Sequence, residues 1–232
     1  MISAELSGTS ASSLSGGPTS GRTLTWRVGA KGTDATYSGV ITNSTSTTAI
    51  TKTGAGTWTL AGACTYTGAT TVSAGVLRIL GSVTGTTGLT IASGAAVELS
   101  GGTLSVSGTV TNNGTIRLKG TPTFSSTGIF TNNGVLDLIN GPATLPANFV
   151  NKGTVLDSSA VKAADAAFVG SNFTVTVTGY AGHTYQLQRS TTINSPTWTA
   201  VGNAQSGTGG QLVFTDSGTA GTQYFYRVVV SP

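Results

Sequence analysis

Short alternating runs of apolar and polar residues recur through the middle of the chain at a fixed distance. Gly56 leads to Trp58 and Leu60, Gly75 to Leu77 and Ile79, and Gly94 to Val97 and Leu99. Gly114 leads to Ile116 and Leu118, and Gly134 to Leu136 and Leu138. A frayed copy puts Asp157 where the next aliphatic belongs. The closing positions 60, 79, 99, 118, 138 and 157 are separated by 19, 20, 19, 20 and 19 residues. A second apolar series, Val72, Ile91, Val110, Phe130 and Phe149, steps by 19, 19, 20 and 19. Two registers sharing one period mark an internal repeat. Period-two alternation within each copy predicts strands, and Gly at the corners supplies positive φ.

A repeat of about twenty residues is too short for a helix pair and suits one turn of a β-solenoid. About six coils are predicted, stacked by parallel pairing at roughly 4.8 Å into a rod of about 30 Å. Leu60, Ile79, Leu99, Leu118 and Leu138 form one inward column, and Trp58, Leu77, Val97, Ile116 and Leu136 the next. Thr23–Val28 alternates as a strand, and Trp26 and Tyr37 are placed as caps on the open end, whose edge groups need partners. Ile2, Ala4 and Leu6 alternate in an otherwise Gly/Ser-rich start, which gives a short strand with one apolar face.

Beyond Pro142 and Pro146 the pattern changes. VKAADAAF (161–168) reads as a helical turn or linker. Five strands follow at Asn172–Thr178, Thr184–Arg189, Trp198–Val201, Gln211–Thr215 and Gln223–Val230, separated by turn residues. The predicted class is all-β: a parallel β-solenoid of about six 19–20-residue coils followed by a small antiparallel β-sandwich. The predicted organisation is an N-terminal arm and lead-in strand over 1–35, the solenoid over 36–158 and the sandwich over 159–232.

KTGAGTWTLAG (52–62), YTGATTV (66–72) and AGVLRI (74–79) together resemble an autotransporter-associated β-strand repeat. That resemblance covers about thirty residues and implies a β-helical region of a long secreted or surface-displayed bacterial protein. Cys64 stands where that family commonly has Asn. No membrane-barrel translocator follows, and the export route is left open. The runs YQLQRS (185–190), WTAVG (198–202), LVFTD (212–216) and YFYRV (224–228) resemble a C-terminal immunoglobulin- or fibronectin-like module. A complete fold of that class has about seven strands; five or six are visible, so an open sheet edge is expected.

Composition narrows the function. Charged residues make up 8% of the chain and hydrophobic ones 38%, which argues for packed β-structure over disorder. The net charge of +4 comes from eleven scattered basic residues without a run, so neither nucleic acid nor an anionic membrane is an expected partner. No apolar stretch reaches bilayer length. Residues 1–22 lack the basic start and apolar centre of a signal peptide. The single cysteine forms no internal disulfide, and Cys64 is expected as a small buried or corner residue. No phosphate loop, zinc or calcium pattern occurs, and no cofactor is called for. His183, the only histidine, is expected as a turn residue.

The positions between the two columns read Thr59, Arg78, Glu98, Arg117 and Asp137, so charges alternate in sign along the rod. Glu98 and Asp137 would be the carboxylate pair of a polysaccharide-cleaving β-helix, roughly 9–10 Å apart. With Arg117 between them both are held charged, leaving no proton donor of raised pKa. The expectation is an exposed structural ladder of Arg78, Glu98, Arg117 and Asp137 and no enzymatic activity. Rows of Asn at 112–113, 132–133 and 151 are expected to bond amide to amide, with sugar binding as the sharper alternative.

These readings predict a secreted structural subunit of a bacterial surface fibre. It would be a homopolymer assembled head to tail, with Ile2, Ala4 and Leu6 as the exchanged strand. A surface adhesin or stalk is the alternative, and a carbohydrate-active β-helix a weaker one. A glycan ligand is left open.

Overall fold

The computed structural model describes residues 5–142, 144–217, 219 and 223–232. The chain divides into two compact units, Met1–Asp157 and Ser158–Pro232.

The first unit is a parallel β-solenoid of about seven coils. Its third face is a seven-stranded sheet running from Ala35–Tyr37 through Thr57–Leu60, Val76–Ile79, Ala96–Ser100, Thr115–Lys119 and Val135–Asp137 to Thr154–Leu156. The first face, from Ser13–Leu14 through Val40–Ile41 and Ala63–Cys64 to Thr123–Ser126, and the second, from Thr23–Val28 through Thr47–Lys52 and Thr70–Val72 to Phe130–Asn132 and Phe149–Asn151, share an eleven-stranded sheet, because Ser82–Ile91 and Thr103–Asn112 each run unbroken across both. Alternation sends every second side chain inward, and parallel pairing puts equivalent residues in columns. Tyr37, Leu60, Ile79, Leu99 and Leu118 stack in one. Trp58, Leu77, Val97, Ile116 and Leu136 stack in the next, extended by Ala35 and Val155. Burial of this aliphatic surface drives the fold, at roughly 25 cal/mol per Å².

The structure holds one more coil than the sequence reading, and the reason lies at the N-terminus. The described part of the predicted arm is the solenoid's first turn. Ser13–Leu14 pairs in parallel with Val40–Ile41, and Thr23–Val28 with Thr47–Lys52. Gly8 bridges to Tyr37, and Leu6 packs on the core. The Trp58 indole Nε1 donates to the Leu6 carbonyl at 2.9 Å, and Trp26 Nε1 to the Ser15 carbonyl at 3.1 Å. A Gly/Ser-rich composition hid this turn, since its apolar content is low.

The second apolar series also changes. Val72 and Ile91 align with Asn112, whereas Val110, Phe130 and Phe149 align with Leu89, two residues earlier. Both columns point inward, because a shift of two residues keeps the face. Ser82–Ile91 pairs with Thr103–Asn112 through irregularities around Thr86, and that coil is 21 residues long rather than 19.

Corners between coils admit little beyond glycine. Gly54 has φ +69° and faces the Gly29 carbonyl, so a Cβ there would collide with backbone. A Cβ on Gly134 would meet the Gly114 carbonyl of the coil before it. Cys64 lies in a further inward column, between Ile41 and Val83, and is fully buried. Burial pushes its thiol up to about 11, opposed by a backbone hydrogen bond at Ile41.

The second unit contains two three-stranded antiparallel sheets. One orders Ala163–Val169, Asn172–Thr178 and Gln211–Asp216; the other orders Thr199–Ser206, Thr184–Ser190 and Phe225–Ser231. Val175, Val177, Tyr185, Leu187, Leu212 and Phe214 form their common core. Six strands replace the expected five, because the Ala-rich stretch read as a helical turn is an edge strand. It forms a hairpin with Asn172–Thr178 through Gly170 at φ +65°, and most of it is exposed. Tight hairpin geometry outweighs the helix propensity of Ala. His183 is buried beside the strand Thr184–Ser190, and its carbonyl accepts from Gly207.

Candidate functional site

The row predicted on the third face is assembled as read. Thr59, Arg78, Glu98, Arg117 and Asp137 are successive partners in the parallel register, with Thr36 before and Leu156 after. Arg78 Nε lies 2.8 Å from Glu98 Oε1. Arg117 joins both acids, with Nη1 3.6 Å from Glu98 Oε2 and Nε 3.0 Å from Asp137 Oδ2. Lys119, two residues along its strand, adds Nζ at 3.3 Å from Glu98 Oε2.

The two acids of the row are not exposed, which corrects the expectation for them, while the Arg78 side chain stays 41% exposed. Glu98 is 5% exposed and Asp137 2%. Coils about 4.8 Å apart let the long Arg and Lys stems lie over the shorter carboxylates between them. Burial alone would raise the Glu98 carboxyl. Lys119 and Arg78 beside it outweigh that and hold it below the usual carboxylate range. Glu98 so held is charged at neutral pH, and its ion pairs can fix register and position charge.

The Asn corners separate into two rows. Asn112 Nδ2 donates to Asn132 Oδ1 at 2.7 Å, and Asn132 Nδ2 to Asn151 Oδ1 at 2.8 Å. Asn112 and Asn132 are fully buried and lie out of reach of a sugar. Asn133 Nδ2 donates outside to Asn113 Oδ1 at 2.8 Å.

Of the predicted assembly strand, Ile2 and Ala4 lie outside the described residues. Leu6 lies against its own solenoid, as described above.

Two features escaped the sequence reading. Lys52 is buried in the inner column between Val28 and Val72, where it donates to the carbonyls of Thr53, Gly54 and Ala74 at 2.8, 2.8 and 3.1 Å. Desolvation lowers its pKa, and Asp34 partly restores it. The only signal was its place at an inward position of TTAITK. In the second unit Arg189 Nη1 grips both oxygens of Asp216 at 2.8 and 2.7 Å, and the Tyr226 hydroxyl donates to Asp216 at 3.0 Å. A cleft of about 220 Å³ opens beside this core between Val161–Ala166 and Tyr226–Val228, floored by Phe173, Val175 and Leu187. Among the described residues no group of three or more His, Cys, Asp or Glu is placed to hold a metal ion. No helix among them is long and apolar enough to cross a membrane.

Comparison with curated proteins and with solved structures finds no match. A family model described as the passenger-associated-transport-repeat matches residues 50–79. Those residues include two successive strands of the third face, Thr57–Leu60 and Val76–Ile79, which stack Trp58 on Leu77 and Leu60 on Ile79. Residues 50–79 are thus similar to an autotransporter-associated β-strand repeat, and they lie within a parallel β-solenoid.

Proposed function

We propose that the chain is a non-enzymatic stalk segment of a secreted, passenger-type surface protein. The observation that carries this reading is the internal strap at the N-terminal end. Leu6, Gly8 and Ser13–Leu14 complete the chain's own first coil, so they are not free to pair with a neighbour. A solenoid with its interior filled by side chains is a rigid spacer. It has no use for a cofactor, and its buried, ion-paired carboxylates suit structure rather than cleavage.

A self-assembling fibre would need a donor strand other than residues 5–14. The cleft in the second unit is the acceptor such a fibre would use. Sedimentation and negative-stain microscopy of the purified chain separate the two. Monomers with a short rod are the expected result. Filaments that grow with concentration would overturn the stalk and restore the homopolymer.

A further inference from the structure

The second face of the solenoid carries an outward row of a single residue type. Thr51, Thr71, Thr90, Thr111 and Thr131 are successive partners in the parallel register, bounded by Arg27 and Val150. The neighbouring outward positions vary, with Ala69 and Gly88 on one side and Ser73 and Ala92 on the other. Strand propensity alone accepts Val, Ile or Thr in any order, so it does not explain five threonines running.

Elsewhere on the solenoid, hydroxyls are often tied to the protein. Thr53 donates to the Val28 carbonyl, Ser125 to Ser105, Thr127 to the Ser107 carbonyl, and Thr70 bonds Tyr66. The five hydroxyls of the row have no hydrogen-bond partner among the described residues. Thr90 is exposed and the other four are half-exposed. Over residues 47–53, 69–73, 88–92, 109–113 and 129–133 this face presents no outward charge, since Lys52 points into the core.

Each threonine offers one hydroxyl, which donates and accepts, beside one methyl that repels water. Parallel pairing repeats this unit every 4.7–4.9 Å or so, over about 19 Å for five coils. The spacing is close to an in-plane repeat of water oxygens in hexagonal ice. Stiff β-branched side chains on packed columns are already ordered, so little entropy is lost on contact. We propose that this threonine row binds the surface of ice, holding waters in a lattice-matched array at the hydroxyls and excluding them at the methyls. Charged side chains would break such an array; Arg27 flanks the row at one end, and Arg78, Glu98, Arg117, Lys119 and Asp137 stand on the third face.

The test is an ice-recrystallisation assay on the full chain, with thermal hysteresis as a second readout. The unsubstituted protein at micromolar concentration is expected to keep ice grains several-fold smaller than buffer does. Thr90→Lys, at the centre of the row, is expected to return grain growth to the buffer level. Thr123→Lys, an exposed hydroxyl position on the first face, is expected to keep the inhibition. Far-UV circular dichroism checks that both variants fold. Grain growth equal to buffer for the unsubstituted protein would overturn the proposal. So would full inhibition by Thr90→Lys, or equal loss in both variants. If Thr90→Lys instead splits a sedimenting pair or abolishes retention on an insoluble polysaccharide, while the unsubstituted chain leaves ice growth unchanged, the row is a lateral or glycan contact and the ice reading fails.

Discussion

Glu98→Gln keeps the shape of the side chain and removes one negative charge from among three cations. At an effective dielectric of about 20, a unit pair near 4 Å is worth about 4 kcal/mol before desolvation. The share of Arg78 is reduced, because its side chain is 41% exposed and screened by water. Arg117 and Lys119 are 16% and 13% exposed and keep most of theirs. Desolvation of the carboxylate returns several kcal/mol. Gln retains one acceptor, so the net cost is about 2–4 kcal/mol. An exposed ladder would have cost only about 0.2–1 kcal/mol.

Urea unfolding of the full chain, followed by far-UV circular dichroism, measures the difference at pH 7. The pH dependence supplies an independent check. The folded Glu98 pKa is held below its ordinary value. Its contribution is therefore present above the unfolded pKa and is lost as pH falls through the folded one. The two proteins should converge in strongly acidic buffer. A difference under about 0.5 kcal/mol at pH 7, against the range expected for a broken buried pair, would refute the reasoning. So would a larger difference that persists unchanged in acid.

Two further substitutions probe the interior. The Cys64 thiol titrates near 11 in the fold, above its unfolded value of 9.0. Its contribution is whole below the unfolded pKa and is lost as pH rises through the folded one, by about 2–3 kcal/mol; Cys64→Val should flatten that alkaline decline in urea midpoints. Asn132→Ala removes the acceptor of the buried Asn112 Nδ2 and the donor to Asn151 Oδ1, and should cost about 2 kcal/mol by urea titration. The outer Asn133→Ala should cost under about 1 kcal/mol.

The stacked aliphatic columns were legible because each coil repeats one Gly-to-Leu spacing, and spacing survives in sequence. The charged row was legible for the same reason, as every member sits between two column residues. Its burial was not, because neighbouring stems cover a carboxylate only once coils stack. The Val72-to-Phe149 series misled because inward positions two residues apart are equivalent to any period count. The first coil was missed because its strands are short and polar, and what holds them are carbonyls accepting from Trp26 and Trp58, which no pattern of side chains encodes. Lys52 was not singled out because a lysine satisfied by three corner carbonyls has no sequence signature.

A repeat fold built only from aliphatic columns has a degeneracy. Any coil fits against any other, and a chain that loops out one coil still buries its leucines. The polar rows remove that freedom. If the Glu98 coil were skipped on the third face, Arg78 would meet Arg117, and if the Arg117 coil were skipped, Glu98 would meet Asp137, like against like and partly buried. On the inner corner Asn112 would reach Asn151 only by leaving Asn132 unpaired. Lys52 can sit only where Thr53, Gly54 and Ala74 turn their carbonyls inward, at the junction of its own coil and the next. Leaving one such group unpaired costs on the order of 1–3 kcal/mol, and more for a charge. Two or three of these penalties match a large part of the 5–15 kcal/mol that holds a domain folded. The apolar period therefore selects the solenoid, and the buried polar rows select which coil follows which.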